Sequence, residues 1–377
     1  METELAAGRR IEALARLDEA LGLLAVIDNV PPIDHAACLR AQSEIAMAEG
    51  DMSAATEHLE EARRILEATG HTDGNVYGGL LSMLGVFHGR AGNVFAAHEY
   101  SLKLVDLDKS LGRQDSMPGL IARTNLASSF RDLGQLQQAY RIHLEAGSDR
   151  TTEGPVKIIY GELLALLGFP DEAIPLIRDG LSEMDERGNL RFQIRARLAL
   201  TQSLLLASRL DEAARAVDDA TSLMTDEVAH GLMLVEAHRL RAAILVAQGQ
   251  LNGAEQEIAA ALQRHAAGDL REPVLARILL VRAQLQLARG VPVEAAESAR
   301  AAEKMFEAHT IDPGQSADVG EALLSLAQAE AAMGSAAAAL VNYERANASL
   351  RNGLGADHPL TLLAERLAAE LRQPDST

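Results

Sequence analysis

The side chains that most often do chemistry are few in this sequence, and they form no known catalytic pattern. No phosphate-binding loop, nucleophile elbow, zinc-binding HExxH or dinucleotide-binding glycine motif occurs in the chain. His230 and His238 share one predicted helix, but at eight positions apart they are separated by about 12 Å, too far for one zinc ion. Cys38 stands alone on an apolar helix face, with no predicted cationic partner. These residues predict no catalysis, no cofactor and no metal site.

The net charge of the chain limits the classes of partner that it could bind. The 377 residues contain 35 Lys and Arg against 54 Asp and Glu, a net charge of −19, which argues against general binding to nucleic acid or anionic membranes. No apolar run is long enough to span a membrane, and the acidic, amphipathic N-terminus lacks the basic-then-apolar plan of a signal peptide. A single cysteine excludes an intrachain disulfide. We therefore expect a soluble cytoplasmic protein.

The predicted helices that would position any functional site recur along the chain as a sequence repeat. A small residue, a short polar turn and the start of a second helix recur along the chain, as in GQLQQAYRIHLEA from Gly134. One alanine aligns in nine copies: Ala13, Ala55, Ala97, Ala139, Ala173, Ala213, Ala254, Ala295 and Ala339. The spacings between them are 42, 42, 42, 34, 40, 41, 41 and 44 residues. Each copy predicts two antiparallel helices, and neighbouring pairs must stack to bury their apolar faces.

These repeats resemble the tetratricopeptide repeat family, whose motif is a small residue on the first helix, Gly at the turn and Ala on the second helix. The best matches are Leu84-Gly85…Gly92…Ala97 and Leu126-Ala127…Gly134…Ala139. The period of about 40–42 residues and the GADHP stretch at Gly355–Pro359 are similar to kinesin-light-chain and bacterial regulator arrays. The resemblance implies an all-α fold, a right-handed α-solenoid of antiparallel helix pairs.

The family's geometry also implies which side chains line the concave groove of the solenoid. In the third unit they include Asn125, Ser128 and Arg131, and the asparagine resembles the family's peptide-holding asparagine. An amide both donates and accepts hydrogen bonds, as a peptide bond requires. The other groove positions that we select as peptide-binding are Arg40, Arg90, Arg195, Gln202 and Arg239, and Arg277 follows the same spacing.

Arginines at these positions favour a ligand with carboxylates, because guanidinium groups bind carboxylates in a bidentate manner. An acidic peptide segment is then a candidate partner. The alternative is that arginine, which supplies 31 of the 35 basic residues, falls at groove positions through composition alone. Apolar groove residues would instead hold an amphipathic helix or simply pack against the next repeat. They are Met83, Val86, Ile158, Ile159 and Leu166.

Breaks in the repeat divide the chain into four predicted segments. Residues 1–29 hold a partial first repeat or cap, 30–149 and 150–357 hold repeats, and 358–377 form a capping helix and tail. The boundary between 149 and 150 lies in a breaker cluster that is either a hinge or an ordinary loop. The partial first repeat is consistent with a natural cap or with a chain cut from a larger protein.

Together these features predict a non-catalytic scaffold or sensor module of a bacterial regulatory protein. Its groove would clamp an extended or helical segment of a protein or peptide. Nucleic acid and membranes are not expected partners. The alternatives are a self-association module that forms a homodimer, and the regulatory half of a larger enzyme or transcription regulator.

Overall fold

A computed structural model describes residues 30–48, 51–147, 153–224, 231–267 and 272–372, together with Arg16, Glu19 and Gly22. All regular structure in these ranges is helical. The helices are α1 (Pro32–Ala48), α2 (Met52–Ala68), α3 (Asn75–Ala91), α4 (Val94–Ser110), α5 (Met117–Asp132), α6 (Leu136–Glu145), α7 (Gly154–Leu166), α8 (Pro170–Glu186), α9 (Leu190–Leu206), α10 (Leu210–Ser222), α11 (Gly231–Ala247), α12 (Leu251–Ala267), α13 (Glu272–Ala288), α14 (Pro292–Ala308), α15 (Ala317–Ala332), α16 (Ala336–Leu354) and α17 (Pro359–Arg372), with a 3-10 turn at Pro313–Gln315. Most of the predicted partial first repeat, the loop at 148–152, His230 and the tail at 373–377 lie outside the described residues.

The turn inside each helix pair explains the recurring small residue. Gly92 adopts φ +69°, a left-handed conformation that is costly for a residue with a Cβ. Its amide donates to the Gly89 carbonyl at 3.2 Å, and the next amide, of Asn93, donates to the His88 carbonyl at 3.0 Å. These bonds satisfy carbonyls at the end of the helix. Ser208 occupies the same place in its repeat with φ +58°.

The aligned alanines lie where the two helices of a pair touch. Ala55, Ala139 and Ala213 are fully buried. The small position on the first helix serves the same contact, because a Cβ on Gly161 would lie 2.6 Å from Ile177 Cγ1. Small residues on both helices therefore allow the two axes to approach closely, and a larger side chain would separate them.

The chain divides into two compact units, Met1–Ser129 and Phe130–Thr377. The boundary that the sequence predicts, between 149 and 150, falls in residues that the structure does not describe, so the hinge there stays a prediction. The helices α1 to α4 belong to the first unit and α6 to α17 to the second, while α5 runs across the boundary.

In the first unit a polar network crosses the apolar core. The Tyr100 hydroxyl and the Arg63 guanidinium both donate to Glu60, at 2.6 and 2.9 Å. Arg63 also donates to Glu67, which accepts from the Tyr77 hydroxyl at 2.8 Å. Burial of these carboxyls is offset by several donors, and the pKa of Glu60 and that of Glu67 both lie below the ordinary value.

In the second unit the turn between α5 and α6 and the start of α6 bond to the segment between Thr310 and Leu354. Three hydrogen bonds join residues at least 177 positions apart: Thr310 Oγ1 to the Leu133 carbonyl at 2.8 Å, the Ala317 amide to the Gly134 carbonyl at 2.8 Å, and Gln137 Nε2 to the Leu354 carbonyl at 2.6 Å. We call these three bonds the junction. Gly134 adopts φ +74° against Ser316, which leaves no room for a Cβ. The junction thus closes this unit on itself, and we call the space that its first helices line the lumen.

Candidate functional site

The first helix of each pair contributes polar side chains to the lumen of the Phe130–Thr377 unit. These helices, α7, α9, α11, α13 and α15, contact one another in that order. The polar side chains that they and the end of α5 contribute we call the charged lumen. They are Arg131, Asp132, Glu162, Arg191, Arg195, Gln202, Glu236, Arg239, Arg277, Asp318 and Glu321.

Glu162 on α7 is the best-paired carboxylate of the charged lumen. It accepts from Arg131 Nη1 at 2.8 Å and from Arg195 Nη2 at 3.0 Å. Burial by itself would raise the pKa of Glu162, but the two guanidinium groups outweigh burial and lower that pKa to about 2. Arg131 in turn binds Asp132 at 2.8 Å. Three consecutive first helices are thereby connected by charge-assisted hydrogen bonds.

A second group of contacts connects α9 to α11. Arg239 Nη2 donates to Gln202 Oε1 at 2.8 Å and also to Glu236, at 2.5 Å. The side chain of Arg239 is only 13% exposed, so these partners compensate a guanidinium that is largely removed from water. Four of the residues predicted to bind peptide are therefore in the charged lumen, and each of them already has a partner within the chain. They are Arg131, Arg195, Gln202 and Arg239.

The carboxyl groups of Asp318 and Glu321 lie one turn apart on α15 and are poorly paired. Arg277 Nη2 approaches Asp318 Oδ2 only to 3.7 Å. Glu321 makes no hydrogen bond or ion pair with any other residue that the structure describes. Burial, reinforced by the negative charge of Asp318, raises the pKa of Glu321 to about 7, although Arg277 and Arg239 oppose the shift. Burial also raises the pKa of Asp318.

Arg191 is the corresponding unpaired cation. It lies on α9, one helical turn before Arg195, and is exposed. Within the described ranges it has no hydrogen-bond or ion-pair partner. Partial removal from water and the like charge of Arg195 both lower the pKa of Arg191. An anion placed between these two guanidinium groups would therefore be bound favourably.

The remaining predicted peptide-binding residues belong to the Met1–Ser129 unit. Asn125 Nδ2 donates to Ser82 Oγ at 3.2 Å, so its amide already has a partner on the neighbouring first helix. Ser128 is half-buried on α5, and Arg40 is exposed on α1. Arg90 lies in α3, and its side chain is outside the described part of the chain. Their assignment to a peptide site stays a prediction.

Sequence reasoning selected the arginines of the charged lumen and missed their acidic partners. The signal was present, because Glu162 lies six positions before Gly168, and Glu236 and Glu321 lie 13 positions before Gly249 and Gly334. The six-position spacing also selected Ser128 and Gln202, and the 13-position spacing also selected Arg195 and Arg277. Asp318 lies one turn further from its turn residue and had no such signal.

The described residues offer neither a metal site nor a membrane-spanning helix. Among the described residues, no three His, Cys, Asp or Glu side chains are placed to hold a metal ion together. None of the described helices is long and apolar enough to cross a membrane.

The comparisons with known proteins bear on the fold. No family model and no curated protein matches this sequence. Among solved structures, a Rap protein complexed with competence and sporulation factor superposes with a TM-score of 0.57 at 10% identity, covering 90% of this chain and 100% of that chain. A tetratricopeptide repeat protein from Parabacteroides merdae has a TM-score of 0.45 at 18% identity, covering 73% of this chain and 97% of that one. Yeast Tom70 has a TM-score of 0.42 at 16% identity, covering 93% and 67%.

At these identities the likeness concerns the fold. The predicted all-α solenoid of helix pairs is confirmed, and the Rap protein has the same kind of fold. Tetratricopeptide repeat proteins are among the solved structures that this chain resembles. The closer similarity to kinesin light chain stays a prediction.

Proposed function

We propose that the chain is a non-catalytic protein- or peptide-binding module, and that the charged lumen holds its ligand. The observation that carries the proposal is the convergence of polar side chains from consecutive first helices on one enclosed surface. Arginine, glutamate and glutamine side chains there offer donors and acceptors to a peptide backbone and to charged side chains. A ligand would bind by exchanging some of the internal ion pairs for its own.

The Rap protein with the same fold was solved in complex with competence and sporulation factor. That complex supports ligand binding by a solenoid of this kind, and we extend the proposal to a sensor role in a bacterial regulatory protein of the cytoplasm. We propose no catalytic role, because the charged lumen brings together ion pairs and a glutamine but no nucleophile with an adjacent base.

Site-specific photocrosslinking tests the proposal. A photoreactive amino acid at Gln202 would lie in the charged lumen, whereas the same group at Asp219 on α10 would lie on an exposed second helix. After irradiation in bacterial lysate, we expect adducts that mass spectrometry identifies as peptides or protein segments at position 202 but not at 219. Equal adducts at both positions would place ligand recognition outside the lumen.

A further inference from the structure

The charged lumen is lined by charged and polar side chains on opposite sides. The junction closes the wall of the unit, and the Asp318 carboxylate lies 3.3 Å from where a Cβ of Gly134 would be, three residues after Arg131. Charges on helices that are not neighbours also affect one another, since Arg277 on α13 lowers the pKa of Glu162 on α7. A ligand in the lumen would therefore be surrounded by polar groups.

A polar wall of this kind favours one ligand conformation. An α-helix satisfies its backbone hydrogen-bonding groups internally, so a helical ligand would offer the wall only its side chains. An extended chain is thinner and exposes its backbone amides to the polar groups of the wall. Of the two ligand conformations that the sequence left open, the lumen therefore favours the extended one.

The unpaired charges indicate the chemistry of that ligand. Arg131, Arg195, Arg239 and Arg277 each face a carboxylate of the same unit. Arg191 and Glu321 form no hydrogen bond or ion pair within the part of the chain that the structure describes. A purely acidic ligand would be repelled by Glu321 and Asp318, and a purely basic one would be repelled by Arg191 and Arg195.

We propose that the lumen binds an extended peptide that carries both charges, with an acidic group against Arg191 and Arg195 and a basic group against Glu321 and Asp318. The proposal rests on the proposed function and specifies its ligand class. The basic group is either a lysine or arginine side chain or a free amino terminus, since all three supply the same N–H donors.

Fluorescence polarisation with the full chain tests the proposal. The probes are four synthetic peptide pools of equal length, each labelled with fluorescein on a side chain and blocked at both termini: neutral, acidic, basic, and bipolar with one acidic and one basic residue. An acidic pool with a free amino terminus separates the amino terminus from a basic side chain. We expect the bipolar pool to bind about tenfold more tightly than the blocked neutral, acidic and basic pools.

Two variants test which charged group of the peptide binds near Glu321 and which binds near Arg191. Glu321→Gln should remove the advantage of the bipolar pool over the acidic pool, and Arg191→Gln should remove its advantage over the basic pool. Glu186→Gln and Arg215→Gln are matched controls on the exposed faces of α8 and α10, and they should leave all affinities unchanged. Circular dichroism verifies that each variant is folded.

The outcomes separate the two proposals. Binding of all pools with equal affinity would overturn the bipolar ligand and leave peptide binding intact. Tightest binding of the acidic pool, with no effect of Glu321→Gln, would do the same. If no pool binds and the crosslinker at Gln202 captures nothing, the proposed function fails as well.

Discussion

Two carboxyl groups of the same lumen have pKa values that are shifted in opposite directions. Glu162 accepts hydrogen bonds from two arginines, and its pKa falls to about 2. Glu321 has no such partner among the described residues, and burial raises its pKa to about 7. Removal from water acts on both groups in the same direction. A counter-ion within hydrogen-bonding distance, rather than burial alone, therefore sets the direction of the pKa shift of these two carboxyl groups.

The difference between the two carboxyl groups should be smaller when Glu162 loses one of its two arginine partners. Arg131→Met leaves Glu162 with Arg195 alone, in a setting that is half-buried. We expect the free energy of unfolding to fall by about 3 kcal/mol, because an incompletely paired buried charge is costly. Urea denaturation followed by far-ultraviolet circular dichroism measures the change in the transition of the Phe130–Thr377 unit.

Arg366→Met on α17 is the matched control for this experiment. Its side chain is 68% exposed and lies 3.7 Å from Glu370, so its loss should change stability very little. A variant at Arg131 that is as stable as the one at Arg366 would mean that the Glu162 contacts do not support the fold.

Removing the charge of Glu321 should change the free energy of unfolding in the opposite direction, so that the protein becomes more stable. The pKa of Glu321 is raised from 4.5 to about 7 in the folded chain, so the folded state is favoured below pH 4.5 and loses that advantage as the pH rises through 7. Glu321→Gln removes the penalised charge. We expect the variant to be more stable than the wild type by roughly 2 kcal/mol above pH 7 and equally stable below pH 4.5.

Urea titrations of both proteins at several pH values measure this difference. The groups that face Glu321 are Asp318, Arg277 and Arg239, and burial raises the pKa of Asp318 as well. A stability difference that does not depend on pH would show that Glu321 is ionised throughout, with a counter-ion near it.

Breaking the junction should affect Glu321 and leave Glu162 unchanged, because the junction lies next to Asp318 on α15. Thr310 is buried and donates to the Leu133 carbonyl, so Thr310→Val leaves that carbonyl without its donor. We expect a loss of about 1 kcal/mol. We also expect the pH dependence due to Glu321 to move to lower pH as water enters, while Glu162 is unaffected.

Ser222→Ala removes a hydroxyl that bonds only within its own exposed helix end, and it serves as the control. The pH midpoint of the stability curve, measured in each variant, is the decisive quantity. A Thr310→Val variant with an unchanged midpoint would separate the junction from the desolvation of Glu321.

Much of this arrangement could be predicted from the sequence, because it depends on local rules. The glycine at each turn, the alanine at each helix contact and the inner position of Arg195 and Arg239 all follow from spacing within one repeat. Glu162 and Glu321 follow from the same spacing, so their presence in the lumen was also predictable.

Their pairing was not predictable from the sequence. Glu162 accepts hydrogen bonds from two arginines, whereas Glu321 accepts none from the residues that the structure describes. This difference depends on the curvature of the superhelix, which accumulates over several repeats. The junction joins positions 177 to 217 residues apart, and no period in the sequence specifies which repeat returns to Gly134. Long-range closure of this kind is a property of the assembled unit.

We expect the smallest effect on stability for an ion pair on the outer surface, which can be compared with an ion pair of the lumen. Arg351 on α16 lies 3.2 Å from Glu365 on α17, a shorter contact than that between Arg277 and Asp318 in the lumen. Both outer side chains are about half exposed, so water and salt screen their attraction and compete for their donors. Arg351→Met should therefore change the free energy of unfolding by less than about 0.5 kcal/mol. The two arginines are similarly exposed, at 41% for Arg277 and 44% for Arg351, but Asp318 is 24% exposed against 56% for Glu365. Arg277→Met, measured in the same urea titration, should therefore cost more despite its longer contact. A larger cost for Arg351→Met would mean that distance, rather than solvent exposure, determines the strength of ion pairs in this chain.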